Sequence, residues 1–308
     1  MYEIVAKKTV APNIIHMKFK APKIALTAKP GQFAIFRADE KGERIPMGLA
    51  GWDEKEGTID IVFYVLGTST AKLSTMSEGE CVSNIAGPLG TPTEIANFGR
   101  VICACGCFGA GPTLPLIKAL KEKGNYVITV VEGRGPDFIF WVDRLKEHSD
   151  EVHVVTGCGK TAWANDFIEQ ELASGKKIDR IFAHGCPFMM KVSSDASRAA
   201  GVQTTVSLTP IMVDGTGMCG ACRVEVDGKT KFACVDGPDF SGHSVNWDGL
   251  VLRLRQLIPE EDRSFNIWER DNWHRLMDCK QKKSFNPAKR RLIDELEHPE
   301  GECKLAGA

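Results

Sequence analysis

Three cysteines and an aspartate crowd into PIMVDGTGMCGACRVEVDGKTKFACVDGP, residues 210–238. Cys219 and Cys222 form a C-x2-C pair, and Cys234 follows after eleven intervening residues. A zinc ribbon calls for a second C-x2-C or a histidine pair, and neither follows Cys234. A plant-type [2Fe–2S] loop has the spacing C-x4-C-x2-C with a distant fourth cysteine. The same four-residue gap counted back from Cys219 reaches Asp214. A carboxylate is anionic like a thiolate, though a harder oxygen donor, so Asp214 can complete the ligand charge. Gly215, Gly217 and Gly220 let such a loop wrap closely and aim backbone N–H groups at the sulfides. The expectation is a [2Fe–2S] cluster held by Asp214, Cys219, Cys222 and Cys234. The plainer alternative is an Asp214 that only shapes a turn, beside zinc or no metal at all.

Other elements must hold that loop in place. Residues 1–98 have the pattern of a small antiparallel barrel. In IIHMKFKAP, Ile15, Met17 and Phe19 alternate with His16, Lys18 and Lys20; in TIDIVFYVLG, Ile59, Ile61, Phe63 and Val65 share one face. KPGQ, EKGER and GPLGT punctuate these runs. From residue 99 the rhythm changes. VICAC, YVITVVE, EVHVVT, KIDRIFAHG and VQTTVSL are short apolar strands, with helices such as PTLPLIKALKEKG and TAWANDFIEQELASG between them. That alternation predicts a parallel, doubly wound α/β domain over 99–208. The cluster unit would span 209–252, and 253–308 would be a charged, partly helical extension.

At 308 residues the chain can carry more than one core, and 43% apolar with 26% charged residues is ordinary for a soluble globular protein. A formal net charge of −1 argues against a nucleic-acid or membrane-surface role driven by bulk charge. No apolar run reaches membrane-spanning length and MYEIVAKKTV lacks a signal-peptide core, so a cytoplasmic location is expected. Eleven cysteines, an odd number, suit metal or redox chemistry better than a disulfide framework.

Barrel, nucleotide-type α/β domain and cysteine-rich unit, in that order, resemble the ferredoxin–NADP reductase superfamily. PIMVDGTGMCGACRV and FACVDGPDF are similar to the small (alpha) subunits of NADH-dependent ferredoxin:NADP oxidoreductases, also called sulfide dehydrogenase subunits, which likewise ligate through one Asp and three Cys. The electron-transfer subunit of dihydroorotate dehydrogenase is a more distant relative, with Cys where Asp214 stands. The resemblance covers about residues 1–255. It implies an antiparallel FAD-type barrel, a parallel doubly wound nucleotide-type domain and a small C-terminal [2Fe–2S] unit.

The same resemblance assigns roles to short stretches that would otherwise pass for ordinary turns. In RIPMGLA it sets Arg44 against the flavin diphosphate and Pro46, Met47 and Gly48 along the isoalloxazine ring, with glycine where the family carries a hydroxyl. In VLGTSTAKL, Gly67, Thr68, Ser69 and Thr70 would cradle phosphate. In CACGCFGAGPTLP, Gly106 and Gly109 belong to a dinucleotide loop, though Cys105 and Cys107 stand where the family has glycine. In VVEGRG, Gly133 and Arg134 would meet the adenosine ribose; Glu132 suits a 2′-hydroxyl and Arg134 a 2′-phosphate, leaving NAD(H) and NADP(H) both open. No residue stands out as an acid–base or nucleophilic catalyst.

The implied function is that of an electron-transfer subunit in a multi-subunit, electron-bifurcating oxidoreductase. Electron pairs would pass between NAD(P)(H) and FAD, and single electrons between FAD and the cluster. The implied partner is a large flavo-iron–sulfur subunit of the glutamate-synthase small-chain type, with ferredoxin beyond it.

Cys105, Cys107, Cys158 and Cys186 all fall at the carboxyl ends of predicted parallel strands, the edge where such sheets place their ligand crevice. Packing thiols are the plain reading. The sharper expectation is a second iron–sulfur cluster or zinc in a degenerate nucleotide pocket, which would make the chain a relay or scaffold subunit. TGCGKT imitates the end of a phosphate-binding loop, but Val154 stands where its first glycine belongs. The tail is basic in CKQKKSFNPAKRR and acidic in LIDELEHPEGE. With Trp268 and Trp273 ahead of it, the extension suits either solvated helix and coil or a docking arm.

Overall fold

A computed structural model of the protein describes residues 1–157 and 163–277. The first sheet contains β1 (Tyr2–Ala11), β2 (Ile14–Lys20), β3 (Phe33–Arg37), β4 (Ile45–Asp53), β5 (Thr58–Tyr64), β6 (Cys81–Val82) and β7 (Asn84–Leu89). Their order is β6-β1-β2-β5-β4-β3-β7, with antiparallel pairing throughout. β6 and β7 stand at opposite ends of that order, yet only Ser83 separates them in the chain. One continuous segment therefore nearly closes the sheet into a barrel, which removes most of its unpaired edge. The alternation legible in the sequence puts Ile15, Met17, Phe19, Ile59, Ile61 and Phe63 together inside, where the rings of Phe19 and Phe36 meet at 5.1 Å. Two short helices, α1 (Pro22–Ala25) and α2 (Thr68–Thr75), pack on this core through Ile24, Ala71 and Leu73.

The second sheet contains β8 (Arg100–Gly106), β9 (Tyr126–Glu132), β10 (Glu151–Val155), β11 (Arg180–His184) and β12 (Thr204–Ser207), all parallel. Between them run α3 (Ala110–Glu122), α4 (Val142–Lys146), α5 (Ala164–Ala173) and α6 (Pro187–Arg198). The order β10-β9-β8-β11-β12 starts at its centre, winds outward, then returns to the other side of β8. The gap between the carboxyl ends of β8 and β11 is thus a topological switch point, the crevice where such sheets bind ligands.

The cysteine-rich segment adds the hairpin β13 (Arg223–Val226) and β14 (Lys229–Phe232). It then gives β15 (Asp239–Ser241), antiparallel to β12, which stitches the segment to the larger sheet. After α7 (Trp247–Arg255), α8 (Ile258–Met277) returns to the barrel. Phe265 is buried in the barrel core with Trp268 packed beside it, so this part of the extension serves the protein's own fold. The side chain of Trp273 and residues 278–308 lie outside those described.

Barrel and parallel sheet share one apolar cluster. Ile14, Ala50 and Val62 of the barrel pack with Val101, Leu116 and Phe182 of the second sheet and its helix. α3 lies so close that a Cβ on Gly111 would stand 2.8 Å from Cβ of Val62. A residue with any side chain would force the two layers apart there.

Candidate electron-transfer site

The loop after β12 carries Asp214, Cys219 and Cys222, and Cys234 reaches them from the turn after β14. Asp214 accepts backbone N–H bonds from Thr216 at 2.9 Å and from Cys219 at 2.7 Å. These bonds to the ionised form hold its carboxyl below the usual aspartate pKa. Cys222 and Cys234 lie beneath, both buried, with their Sγ atoms 3.2 Å apart. Burial and the adjacent Cys222 sulfur push the Cys234 thiol up. Asp214 with Cys219, and Cys222 with Cys234, make two pairs. Four protein donors in two pairs fit a [2Fe–2S] cluster, which takes two from the protein at each iron. Gly215, Gly217 and Gly220 have φ of +79°, +83° and +64°, a backbone that other residues adopt only under strain.

The loop is seated on the barrel. Met212, Cys222, Ala233 and Cys234 share an apolar cluster with Phe33 and Ile35 of β3. Arg44 Nε donates to the Val213 carbonyl at 2.8 Å. Through Nε, the guanidinium expected beside a flavin diphosphate ties the start of β4 to the cluster loop.

A cleft of about 390 Å³ opens between the barrel and the switch point. Pro46, Met47 and Gly48 line it from β4, and Gly67, Thr68, Ser69 and Thr70 from the N-terminus of α2. No atom stands within 4 Å of where a Cβ on Gly67 would be, so the backbone there opens onto free space. The first-turn N–H groups of a helix have no intrahelical acceptor and favour an anion. The hydroxyls of this turn face the protein. Thr70 Oγ1 accepts from the N–H groups of Leu66 and Gly67 and donates to the Gly67 carbonyl. Thr68 Oγ1 and Ser264 Oγ are hydrogen-bonded at 2.9 Å, and Ser69 donates to Glu43 at 3.4 Å. An apolar strand wall beside an open backbone cradle fits a flavin dinucleotide.

From the other side, Phe108, Gly109, Pro112, His184 and Gly185 bring the switch point into the same cleft. Gly109 passes against the His184 backbone carbonyl, leaving no space for a Cβ. Its glycine is needed for the approach of β8 and β11, whatever ligand is bound. Sequence reasoning missed His184, which lies two residues before Cys186. It is buried, and burial keeps its imidazole pKa below the ordinary value, so the ring is neutral. Thr113 Oγ1 donates to the Gly109 carbonyl at 2.8 Å and therefore accepts from His184 Nδ1 at 3.2 Å. That leaves Nε2 as an acceptor with no hydrogen-bond partner among the described residues.

The thiols expected to meet at this crevice do not converge. Cys105 is fully buried in the cluster shared with the barrel, with Cys107 packed against it, whereas Cys186 packs against the cluster on the opposite side of the sheet. Residue alternation along β8 decides this, because Cys103 and Cys105 face α3 while Ile102 and Ala104 face the other layer. Burial raises the Cys105 thiol pKa to about 12. Cys186 instead caps α6, its Sγ accepting from Met189 N–H at 3.4 Å. Cys158 lies outside the described residues. Among the described residues, no three His, Cys, Asp or Glu side chains gather around a point that could hold one metal ion.

At the second strand, Glu132 accepts the Ala164 N–H at 2.8 Å, at the start of α5, rather than standing free for a ribose. Gly133 N–H donates to the Val155 carbonyl at 3.0 Å. Arg134 sits close enough to Tyr64, a cleft-lining residue of β5, to favour its charged form. Gly106 approaches Met189 of α6, whose Sδ would lie 3.1 Å from an added Cβ.

An antiparallel barrel, a switch-point sheet sharing its cleft and a cysteine-rich loop define a ferredoxin-reductase-like fold with an iron–sulfur unit appended. Residues 209–246 match the family described as the iron–sulfur cluster binding domain of dihydroorotate dehydrogenase B. Over 265 residues the chain is 43% identical to the dihydroorotate dehydrogenase B (NAD(+)) electron transfer subunit homolog of Thermotoga maritima, covering 85% of this chain and 94% of that one. It is 30% identical over 256 residues to the dihydroorotate dehydrogenase B (NAD(+)) electron transfer subunit of Desulforamulus reducens, covering 80% and 97%. A chain in the solved structure of the NADH-dependent reduced ferredoxin-NADP oxidoreductase, described for its bearing on flavin-based electron bifurcation, superposes with a TM-score of 0.81. It is 40% identical and covers 90% of this chain and 98% of its own length. The chain belongs to the family of dihydroorotate dehydrogenase B electron-transfer subunits and their homologues. It is an electron-transfer subunit of an oxidoreductase, with an iron–sulfur cluster-binding domain and an FAD- and NAD-binding type of fold. Among the described residues, no helix is long and apolar enough to cross a membrane.

Proposed function

We propose that this chain carries electrons between NAD(P)H and a large flavo-iron–sulfur subunit, through FAD in the barrel cleft and a [2Fe–2S] cluster on Asp214, Cys219, Cys222 and Cys234. The observation that carries the reading is the path of residues 207–212. They line the cleft, and Met212 is followed only two residues later by Asp214. Two residues of extended chain span at most about 7 Å, so flavin and cluster are held at short range by one continuous segment. When bound, the flavin supplies the exchange between the electron pairs of a nicotinamide and the single electrons of a cluster.

The chain's own residues then have separate tasks. The first turn of α2 holds the diphosphate through backbone N–H groups, and Pro46 to Gly48 support the ring system. At the switch point, Gly106 and Gly109 let α6 and β11 pack close enough to shape the cleft that the nucleotide would enter, and His184 Nε2 accepts a hydrogen bond from its carboxamide or a ribose hydroxyl. Cys105 is directed into the core and leaves that approach clear, which supports a working nucleotide site. Val213, Met218 and Val235 are exposed apolar residues around the cluster loop. Such a patch suits a partner subunit docking over the cluster. With ferredoxin beyond that partner, the complex would perform flavin-based electron bifurcation, the process to which the superposed oxidoreductase structure is related.

The test is FAD and iron content of the anaerobically purified chain, followed by separate NADH and NADPH titrations watched by flavin absorbance and cluster EPR. About one FAD and two irons per chain, with reduction of both centres by at least one nucleotide, is the expected result. A chain without flavin, or one that neither nucleotide reduces, would overturn the reading.

A further inference from the structure

The cleft has a wall that comes from outside the barrel and the sheet. Glu261, Ser264, Phe265 and Trp268 recur at i, i+3, i+4 and i+7 along α8, which places them on one helical face. Glu261 and Ser264 line the cleft, and Leu254 of α7 lines it beside them. Ser264 Oγ lies 2.9 Å from Thr68 Oγ1, at the first residue of α2, where the phosphate cradle begins. The next residue, Phe265, is 7% exposed in the barrel core, with the Trp268 ring centroid 6.2 Å from its own. The helix is therefore fastened at two adjacent residues, one polar and at the cleft, one apolar and inside the barrel.

From this geometry we propose that α8 is a latch on the flavin site, closing the cleft over the ribose–adenine half of FAD. The inference rests on the flavin reading above and adds what keeps the cofactor in. Chemistry selects the half. Glu261 lines the cleft from α8. A carboxylate there would repel a diphosphate, whereas ribose hydroxyls and the adenine amino group are donors that it accepts. α8 would therefore cover the nucleoside and not the diphosphate. For FAD to enter or leave, α8 has to lift, which breaks the Thr68–Ser264 bond and draws Phe265 out of the barrel core. Flavin release is then tied to opening of this helix.

The test uses the full chain, reduced and anaerobic, loaded with FAD. Release is followed as free flavin fluorescence after dilution, and amide hydrogen exchange is read over residues 258–277 with and without FAD. Ser264→Ala should release FAD about three- to tenfold faster, the loss of one modest hydrogen bond. Phe265→Ala removes the apolar anchor and should speed release further, by more than about tenfold. FAD should slow exchange across α8 in the unaltered chain. Unchanged release in both variants, or α8 amides that FAD leaves unprotected, overturns the latch. Should either variant fail to fold, the exchange measurement on the unaltered chain decides alone. An unaltered chain that takes up no FAD would instead overturn the flavin reading, a distinguishable result.

Discussion

Gly48 of β4 and Pro112 of α3 meet across the cleft so closely that a Cβ on Gly48 would stand 3.1 Å from Cβ of Pro112 and 3.3 Å from its Cγ. A side chain at this position would require Pro112 to give way by a few tenths of an ångström. Gly48→Ser should therefore destabilise the protein by about 1–2 kcal/mol, the usual effect of overpacking. Urea unfolding at fixed FAD concentration checks this. Equal or higher stability in the serine variant would mean that α3 stands further from the barrel than described.

Arg44 supplies a prediction that separates two roles. Its Nε bonds to the Val213 carbonyl, one residue before Asp214. Arg44→Ala should loosen the cluster loop, at about 1 kcal/mol for a single charge-assisted bond, and should shift the cluster EPR signal. A variant that loses FAD affinity with its cluster signal intact would return Arg44 to the flavin diphosphate.

The parts of this fold legible in the sequence are those in which a residue's own neighbours decide its place. Ile15, Met17 and Phe19 show their inner face by alternation alone, and the spacing from Asp214 to Cys222 puts most of the ligand set within one loop. What could not be read depends on partners distant in the chain. Cys105 looks like a ligand by type, but the pleat of β8 turns it into the core shared with Ile14 and Val62. Phe265 looks like part of a solvated tail, and only the barrel, some two hundred residues earlier, buries it. His184 gave no periodic signal. Its position follows from the switch between β8 and β11, which exists only once the strand order is known.

Glu132 should make stability depend on pH. Burial, opposed by the Ala164 N–H, raises its pKa from 4.5 to about 7. A carboxyl with a raised folded-state pKa favours folding most below its unfolded pKa, and that contribution is lost as pH rises through the folded value. Between about pH 4.5 and 7 the protein should thus lose on the order of 2–3 kcal/mol from this group. Glu132→Gln keeps an oxygen for the Ala164 N–H and removes the titration. Denaturant unfolding at pH 5 and pH 8 should show a smaller difference for the glutamine variant. Identical pH dependence in both proteins would place the titration elsewhere.

Asp214 offers the sharpest test of the cluster assignment, because it does two jobs that substitutions can separate. As a loop residue it caps the N–H groups of Thr216 and Cys219. As a ligand it would complete a set with three thiolates. Asp214→Asn preserves an oxygen acceptor for both N–H groups but removes the negative charge. A purely structural role predicts a small effect on iron content, whereas ligation predicts marked loss of the cluster. Asp214→Cys discriminates from the other direction. It gives up the caps yet supplies a softer thiolate at the ligand position, so the cluster should persist with altered g-values and a lower potential, as four sulfur donors favour the oxidised form. Iron content and EPR of the two variants, measured side by side, check the assignment. Normal iron in Asp214→Asn with no cluster in Asp214→Cys would show that the aspartate holds the loop and ligates nothing.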